Sequence, residues 1–195
     1  EARVDDSGLH LEVTANDPDG DELRTSAHYR PGPDRPWVPV VAGSSRTAFV
    51  IDDLRDLAGS ADGEIRVRVS DGFSTVTATR GGLVVPDQAP RLSLVRPVDG
   101  TTAASTSAVT LTAHAFDADT GDDPARTTYR WVSDRDGELA DEGFAVVRGL
   151  SVGRHEITVT ATDDAGNTAS ASVRLEVVAG APVDEAATAA VADRL

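Results

Sequence analysis

The alternation of apolar and polar residues with a period of two is the feature that most restricts the fold. Residues 9–15, 65–69, 157–161 and 173–177 each place an apolar side chain at every second position. Such alternation predicts β-strands with one buried face and one solvent-exposed face. Clusters of Gly, Asp, Asn and Pro separate these runs, as turns between strands require. The sequence therefore predicts an all-β fold.

The sequence also contains two diverged copies of one pattern, which indicates two domains in a chain of 195 residues. Two blocks recur, at offsets of 100 and 92 residues: Leu9, Leu11, Val13, Ala15, Asp17 and Asp19 match Val109, Leu111, Ala113, Ala115, Asp117 and Asp119, and Glu64, Ile65, Val67, Val69 and Asp71 match Glu156, Ile157, Val159, Ala161 and Asp163. About seven short strands per copy is the pattern of a two-sheet sandwich. We predict two tandem Ig-like Greek-key β-sandwiches.

Two prolines, Pro86 and Pro90, mark the predicted boundary between the copies. Proline cannot donate a ladder hydrogen bond, and it holds the preceding residue in an extended conformation. We therefore expect one sandwich over residues 1–87 and a second over residues 88–179, joined by this short Pro-containing linker. Residues 180–195 are predicted to be a linker or a short C-terminal helix.

One difference between the copies concerns their first strands. The second copy opens with a strand-like segment at residues 91–96. At the offset of 100, the counterpart of this segment would precede residue 1. This asymmetry predicts that the first sandwich lacks its first strand. Either the chain is cut from a longer protein, or an N-terminal partner segment supplies that strand.

The composition excludes several functional classes. The chain has no Cys, so disulfides, thiolate zinc sites and cysteine nucleophiles are excluded. With 33 acidic and 18 basic residues, the net charge of −15 disfavours nucleic acid and anionic membranes as partners. No run of 18 apolar residues is present, so no membrane insertion is expected. The expected partners are a protein or another extracellular component, and the other domains of a longer parent chain.

Several motifs resemble known extracellular modules. Residues 131–137 and 150–167 of the second copy are similar to PKD-type and bacterial Ig-like domains. Residues 16–21 and 69–72 of the first copy resemble bacterial fibronectin type III-like modules. The resemblance covers about residues 8–179 and implies β-sandwich domains of secreted or cell-surface proteins, with roles in structure or adhesion.

Each copy carries one tryptophan, Trp37 in the first and Trp131 in the second. In the resembled families the Trp lies on the central strand. A single Trp per sandwich usually fills the space between the sheets, so both are predicted to be core residues rather than sugar-binding platforms. The first copy departs from the families at residues 30–36, where three prolines replace the usual Gly-rich turn.

Aspartates are concentrated where two strands of each copy end. In this topology the B–C and F–G loops lie at the same end of the sandwich, so their carboxylates converge. Ca²⁺ prefers such oxygen ligands, although no EF-hand loop is present. The candidate calcium ligands are Asp117, Asp119, Asp163 and Asp164 in the second copy, with Asp122 and Asp123 beside them, and Asp17, Asp19 and Asp71 in the first. The alternative is that these aspartates only shape solvated turns.

No motif of a known catalytic site occurs, and the four His are scattered along the sequence. We therefore expect a non-catalytic extracellular module: a tandem spacer or adhesion stalk, stiffened by calcium near the linker. Two alternatives stay open. The chain is an accessory C-terminal region of a secreted bacterial hydrolase, or it is a binding module that uses its loop tips or a sheet edge.

Overall fold

The computed structural model describes residues 1–119 and 126–180, and the described residues form fifteen β-strands and no helix. They divide into two compact units. The first unit comprises Glu1–Arg91 and parts of two later loops, residues 116–119 and Asp163–Asn167. The remaining described residues form the second unit. Asp122, Asp123 and the predicted C-terminal linker or helix beyond residue 180 lie outside the described residues.

The first unit contains two sheets of antiparallel strands. One sheet has the order β1-β2-β5 and the other the order β4-β3-β6-β7. The strands are β1 (Ala2–Asp5), β2 (Gly8–Glu12), β3 (Arg24–Arg30), β4 (Val38–Ser44), β5 (Ala48–Ile51), β6 (Ser60–Ser70) and β7 (Thr75–Val85). This arrangement is the Greek-key order of an Ig-like sandwich, with the first, second and fifth strands facing the other four.

The second unit repeats this arrangement with one additional strand, β9. Its sheets have the orders β13-β10-β8 and β12-β11-β14-β15-β9. The strands are β8 (Arg91–Arg96), β9 (Thr101–Ala104), β10 (Val109–Phe116), β11 (Thr128–Ser133), β12 (Gly137–Ala140), β13 (Phe144–Val147), β14 (Gly153–Thr162) and β15 (Thr168–Val178). Strand β9 pairs in parallel with β15 along Leu175–Val178. The prediction of two all-β Ig-like sandwiches is confirmed.

Each unit has its own hydrophobic core, built from the apolar phase of the alternating strands. In the first unit Leu9, Leu11, Tyr29 and Ile65 are buried together with Leu83. The core of the second unit consists of Val109, Leu111, Ala113, Trp131, Leu150, Ile157, Val159, Val173, Leu175 and Val177. The alternation in the sequence therefore marks the faces that pack inward.

The prediction that the first sandwich lacks its first strand is wrong. Strand β1 pairs antiparallel with β2, in the place that β8 takes beside β10. The reason is the turn at residues 5–8, where the Asp5 carboxylate accepts a 2.9 Å hydrogen bond from the Ser7 N–H. Gly8 completes the turn at φ 122°, and a Cβ there would lie 2.1 Å from the Ile51 carbonyl oxygen. Among the described strands, β7 instead has no partner equivalent to β9.

The prediction that both tryptophans are core residues holds for Trp131, which is 0% exposed, and is wrong for Trp37. Trp37 is half-buried, just before β4. The guanidinium groups of Arg30 and Arg66 lie 4.5 and 3.9 Å from its ring centroid. Both arginines belong to the polar phase of their strands, so the indole packs on the outer face through cation–π contacts.

Candidate functional site

The candidate cation site of the first unit is a chain of linked carboxylates. Asp87 lies between β7 and β8, whereas Asp117 and Asp119 follow the core part of β10. Asp163 follows β14 directly. The structure thus brings residues far apart in the sequence to one place, because the loops after β10 and β14 lie at the same end of a sandwich although the two strands belong to different sheets.

One side-chain amide connects two of these carboxylates. The Asn167 Nδ2 group donates hydrogen bonds to Asp87 Oδ2 at 3.2 Å and to Asp163 Oδ2 at 3.1 Å. The Asn167 backbone N–H donates a further bond of 2.8 Å to Asp163 Oδ1. Both hydrogens of one amide therefore hold Asp87 and Asp163 close to each other.

A second set of contacts surrounds Asp119. Its carboxylate accepts a 2.7 Å hydrogen bond from the Gly59 N–H, and its own N–H donates to Asp117 Oδ1 at 2.7 Å. Burial, followed by a hydrogen bond with Asp87 and repulsion from that carboxylate, raises the pKa of Asp119 to about 7. Repulsion from Asp117 acts in the same direction. The site therefore favours either a proton or a cation at this position.

The close approach of the Asp87 backbone to residue 59 requires a glycine at that position. A Cβ at Gly59 would lie 3.0 Å from the Asp87 Cα and 3.1 Å from its backbone nitrogen. Asp87 was not among the ligands predicted from the sequence, although it stands in the predicted linker. Asn167 was also missed as a contact residue, although it closes the stretch at residues 150–167 that carries the family resemblance. Their signal is position, since both lie where the acidic loops were expected to converge.

The candidates of the first copy lie at a different place in the same unit. Asp17 Oδ1 accepts hydrogen bonds from the N–H groups of Asp19 at 2.9 Å and Asp21 at 3.1 Å. Asp71 Oδ1 accepts from Phe73 N–H at 2.7 Å and Ser74 N–H at 2.5 Å. The bonds from Ser74 and then Phe73 hold the pKa of Asp71 below its usual range. These aspartates shape turns.

Asp17, Asp19 and Asp71 also line one groove, whereas Asp164 is exposed in the β14–β15 turn. Within residues 1–119 and 126–180, no group of three or more His, Asp or Glu side chains is arranged to hold a metal ion. Calcium binding stays a prediction for all seven candidate residues.

Within the described part of the chain there is no helix that could span a membrane.

A cluster of buried polar groups in the second unit lies outside these loops. Ser133 Oγ lies 2.8 Å from His155 Nδ1, and His155 Nε2 lies 2.7 Å from the Ser151 carbonyl oxygen. A carbonyl only accepts, so Nε2 carries the hydrogen and Ser133 donates to Nδ1. Ser133 is 1% exposed and also accepts bonds from the N–H groups of Arg135 and Asp136. This network ties the β11–β12 turn to β14.

Among known proteins, the chain shares low sequence identity with several solved structures. No protein-family model matches the sequence, and the search of curated proteins finds no match. Among solved structures, fibronectin(III)-like modules of CbhA from Clostridium thermocellum match with 12% identity and a TM-score of 0.38, over 47% of this chain and all of that one. The PKD1 domain of Epp from Vibrio anguillarum matches with 20% identity and a TM-score of 0.37, over 49% of this chain and all of that one.

A longer match is to the three N-terminal domains of the outer capsid protein Hoc of bacteriophage RB49. It has 14% identity and a TM-score of 0.38, and covers 90% of this chain and 55% of that one. The matched structures include the fibronectin type III-like and PKD types that the sequence resembles. The strand order and register of the chain itself define its class, which is a tandem of Ig-like β-sandwiches.

Proposed function

We propose that the chain is a structural and interaction module of an extracellular protein, a tandem β-sandwich spacer that calcium stiffens. The observation that supports the calcium role is the contact of Asp119 with Asp87, two carboxyl groups within hydrogen-bond reach of each other. Near neutral pH such a pair is favourable only when a proton or a cation offsets the repulsion. Carboxylate oxygens are the ligands that Ca²⁺ prefers.

The proposed ion binds beside Asp87 and Asp119, with Asp117 and Asp163 supplying further oxygens. Asp163 and Asp87 already share the Asn167 amide, so their carboxylates lie near each other and are the proposed ligands of a common ion. Calcium bound there would tie the segment at Asp87 to the loops after β10 and β14. The exchange of a proton for Ca²⁺ is a distinguishing consequence, because the pKa of Asp119 is about 7.

Titration calorimetry of EDTA-treated protein with CaCl₂ at pH 7 tests the proposal. We expect saturable binding whose heat varies with the ionisation enthalpy of the buffer, since protons are released. Small-angle scattering should give a narrower distribution of dimensions in calcium than in EDTA, as a stiffened spacer requires. The Asp87→Asn/Asp119→Asn double variant should lose both effects.

The matched control is Asp6→Asn, which removes one exposed carboxylate from the β1–β2 turn. This variant should bind calcium like the unmodified chain. A chain that shows no heat and no rise in melting temperature with calcium contradicts the proposed calcium role. The Asp71→Asn variant tests whether a second calcium ion binds at the first-copy turn. A change in calcium binding in this variant would indicate an ion at Asp71 in addition to the one at Asp87. The alternative role as an accessory region of a secreted hydrolase stays a prediction.

A further inference from the structure

The first sandwich has an open groove where the second sandwich is closed. Strand β2 ends at Glu12, whereas its counterpart β10 continues to Phe116. In this additional length of β10, Ala113 and Ala115 face the core and are buried. At the offset of 100 their counterparts are Val13, which is half-buried, and Ala15, which is exposed. The shorter strand leaves part of the opposite sheet uncovered.

The uncovered surface is the inner face of β6 and β7. Val67 and Val69 on β6 are half-buried, although their counterparts Val159 and Ala161 are 0% exposed. On β7, Val76 is 72% exposed. These residues, with Ala78, form the apolar floor of a groove of about 690 Å³. An apolar surface of this kind commonly marks a binding site.

The rim of the groove is acidic. Glu1, Glu12, Asp17, Asp19 and Asp71 line it, and Arg80 is the one basic residue among its lining. Several carboxylates around a low-dielectric floor concentrate negative potential and attract a cationic ligand. The charge of the rim thus selects the kind of partner that the apolar floor can bind.

The groove also borders a free sheet edge. Strand β7 is the last strand of its sheet, and within the described residues no strand is paired with its outer edge. Residues 75–82 of this strand are exposed throughout. In the second sandwich the equivalent strand, β15, pairs at this edge with β9. The edge of β7 therefore has the geometry that accepts an added strand.

We propose that the β7 edge and its groove bind an extended segment of a protein partner, with aliphatic side chains at alternate positions and Lys or Arg at its flanks. The backbone of this segment pairs with β7, and its alternate side chains fill the floor at Val67, Val69 and Val76. Its basic residues face the acidic rim. The inference gives the proposed interaction role its surface and so rests on that role, but it is independent of calcium.

The test uses synthetic peptides in EDTA. The probe is a fluorescent peptide of the sequence KTVTVTVKK, and the comparison peptides replace every Lys by Glu or cluster the Val residues at one end. We expect micromolar binding of the first peptide by fluorescence anisotropy, at least tenfold weaker binding of the other two, and weaker binding in high salt. Amide resonances of residues 75–80 should shift most in NMR spectra.

Two valine variants localise the site. Val76→Lys places a charge on the floor and is expected to weaken binding at least tenfold. Val50→Lys changes a similarly exposed valine, 58% exposed on β5, and is expected to leave binding unchanged. Because both side chains are on the surface, both variants should keep the melting temperature of the parent chain. Glu12→Gln with Asp19→Asn should reduce the affinity and its dependence on salt.

Binding no tighter than millimolar, equal affinity for Val76→Lys, or resonance shifts away from β7 would each overturn the inference. The calcium experiment has a separate readout, at Asp87 and Asp119. Loss of peptide binding with intact calcium binding therefore rejects this docking site alone. Loss of calcium binding with intact peptide binding rejects the stiffening role alone.

Discussion

Ala27 in the first sandwich holds the place that Trp131 holds in the second. Ala27 lies opposite Val67 in the β3–β6 pairing, and Trp131 lies opposite Val159 in the β11–β14 pairing. Both residues are 0% exposed. The first sandwich compensates two residues later, with Tyr29 as its large buried side chain. The two cores are therefore filled from different positions of the same strand.

Replacement of Trp131 by Phe should destabilise the second sandwich. The indole N–H donates a 2.8 Å hydrogen bond to the Glu142 carbonyl, and Phe would leave this acceptor without its partner and the core with a void. We expect a loss of roughly 2–4 kcal/mol in the free energy of unfolding, from the void and the lost hydrogen bond together. Urea unfolding followed by circular dichroism measures it.

Trp37→Phe is the matched control for this substitution. Its indole packs against two arginines on the outer face and not in the core, so we expect a change of about 1 kcal/mol or less. Equal losses for the two variants would contradict the assignment of Trp131 alone to a core. The control variant also leaves Trp131 as the single fluorescent reporter of its own sandwich.

The sequence was sufficient to predict the strands and their faces, because burial of one face demands alternation at every second residue. It did not distinguish the two tryptophans. Trp37 follows a proline-rich connection that no alternation constrains, and arginines of the outer face provide an alternative partner for its ring. The hairpin at residues 5–8 was missed although Asp and Gly are turn residues, because the offset of 100 places the counterpart of the segment at residues 91–96 before residue 1.

The location of the candidate site could be predicted from the sequence, but the full set of residues that form it could not. The position of Asp117, Asp119 and Asp163 at strand ends follows from the repeat. The approach of Asp87 depends on the absence of a side chain at Gly59, and the Asn167 bridge depends on the conformation of one turn. Such contacts between residues distant in sequence arise from packing, which the alternation of residue types does not encode.

Tyr29→Phe should weaken the first sandwich and change its response to alkali. The Tyr29 hydroxyl donates a 2.8 Å hydrogen bond to the Ala58 carbonyl, and Gly63 makes room for the ring, since a Cβ there would lie 2.7 Å from Tyr29 Cε2. Removal of the hydroxyl leaves the carbonyl unpaired and should cost about 1–2 kcal/mol. Thermal unfolding at pH 7 measures this loss.

Burial raises the pKa of Tyr29 to about 12. The folded state therefore holds its proton over a pH range in which the unfolded state, with a tyrosine pKa near 10, has lost it. Stability should fall as the pH rises from about 10 to about 12. In Tyr29→Phe this fall should be smaller, and an identical alkaline profile for both proteins would contradict the buried environment of the phenol.

Asp119→Asn should stabilise the calcium-free chain at neutral pH. The folded pKa of about 7 exceeds the usual pKa of an aspartate, so the folded state binds the proton more tightly. Stability from this group is present below pH 4 and is lost as the pH rises to about 7. Asn keeps an acceptor for the Gly59 N–H and carries no charge. Solvent screening reduces the effect, and we expect a melting temperature higher by roughly 2–4 °C at pH 8 in EDTA.

The dependence on pH distinguishes this effect from a general gain in stability. The difference between Asp119→Asn and the parent should shrink as the pH falls towards 4, because the folded carboxyl is then protonated and the unfolded one is becoming protonated. Calcium should reverse the order at pH 8, because only the parent has the charged ligand. A difference that is constant from pH 4 to pH 8 would contradict the raised pKa.

His155→Ala should destabilise the second sandwich more than any exposed histidine variant. The substitution removes the acceptor of the Ser133 hydroxyl and the donor to the Ser151 carbonyl, and leaves a void beside β11. We expect a loss of roughly 2–4 kcal/mol, from the void and the unpaired buried groups. His114→Ala, at an exposed position of β10, should stay within about 0.5 kcal/mol of the parent. In a Trp37→Phe background, urea unfolding followed by Trp131 fluorescence should show an earlier midpoint for His155→Ala alone, whereas coincident curves for the two variants would show that the buried network contributes nothing to the fold.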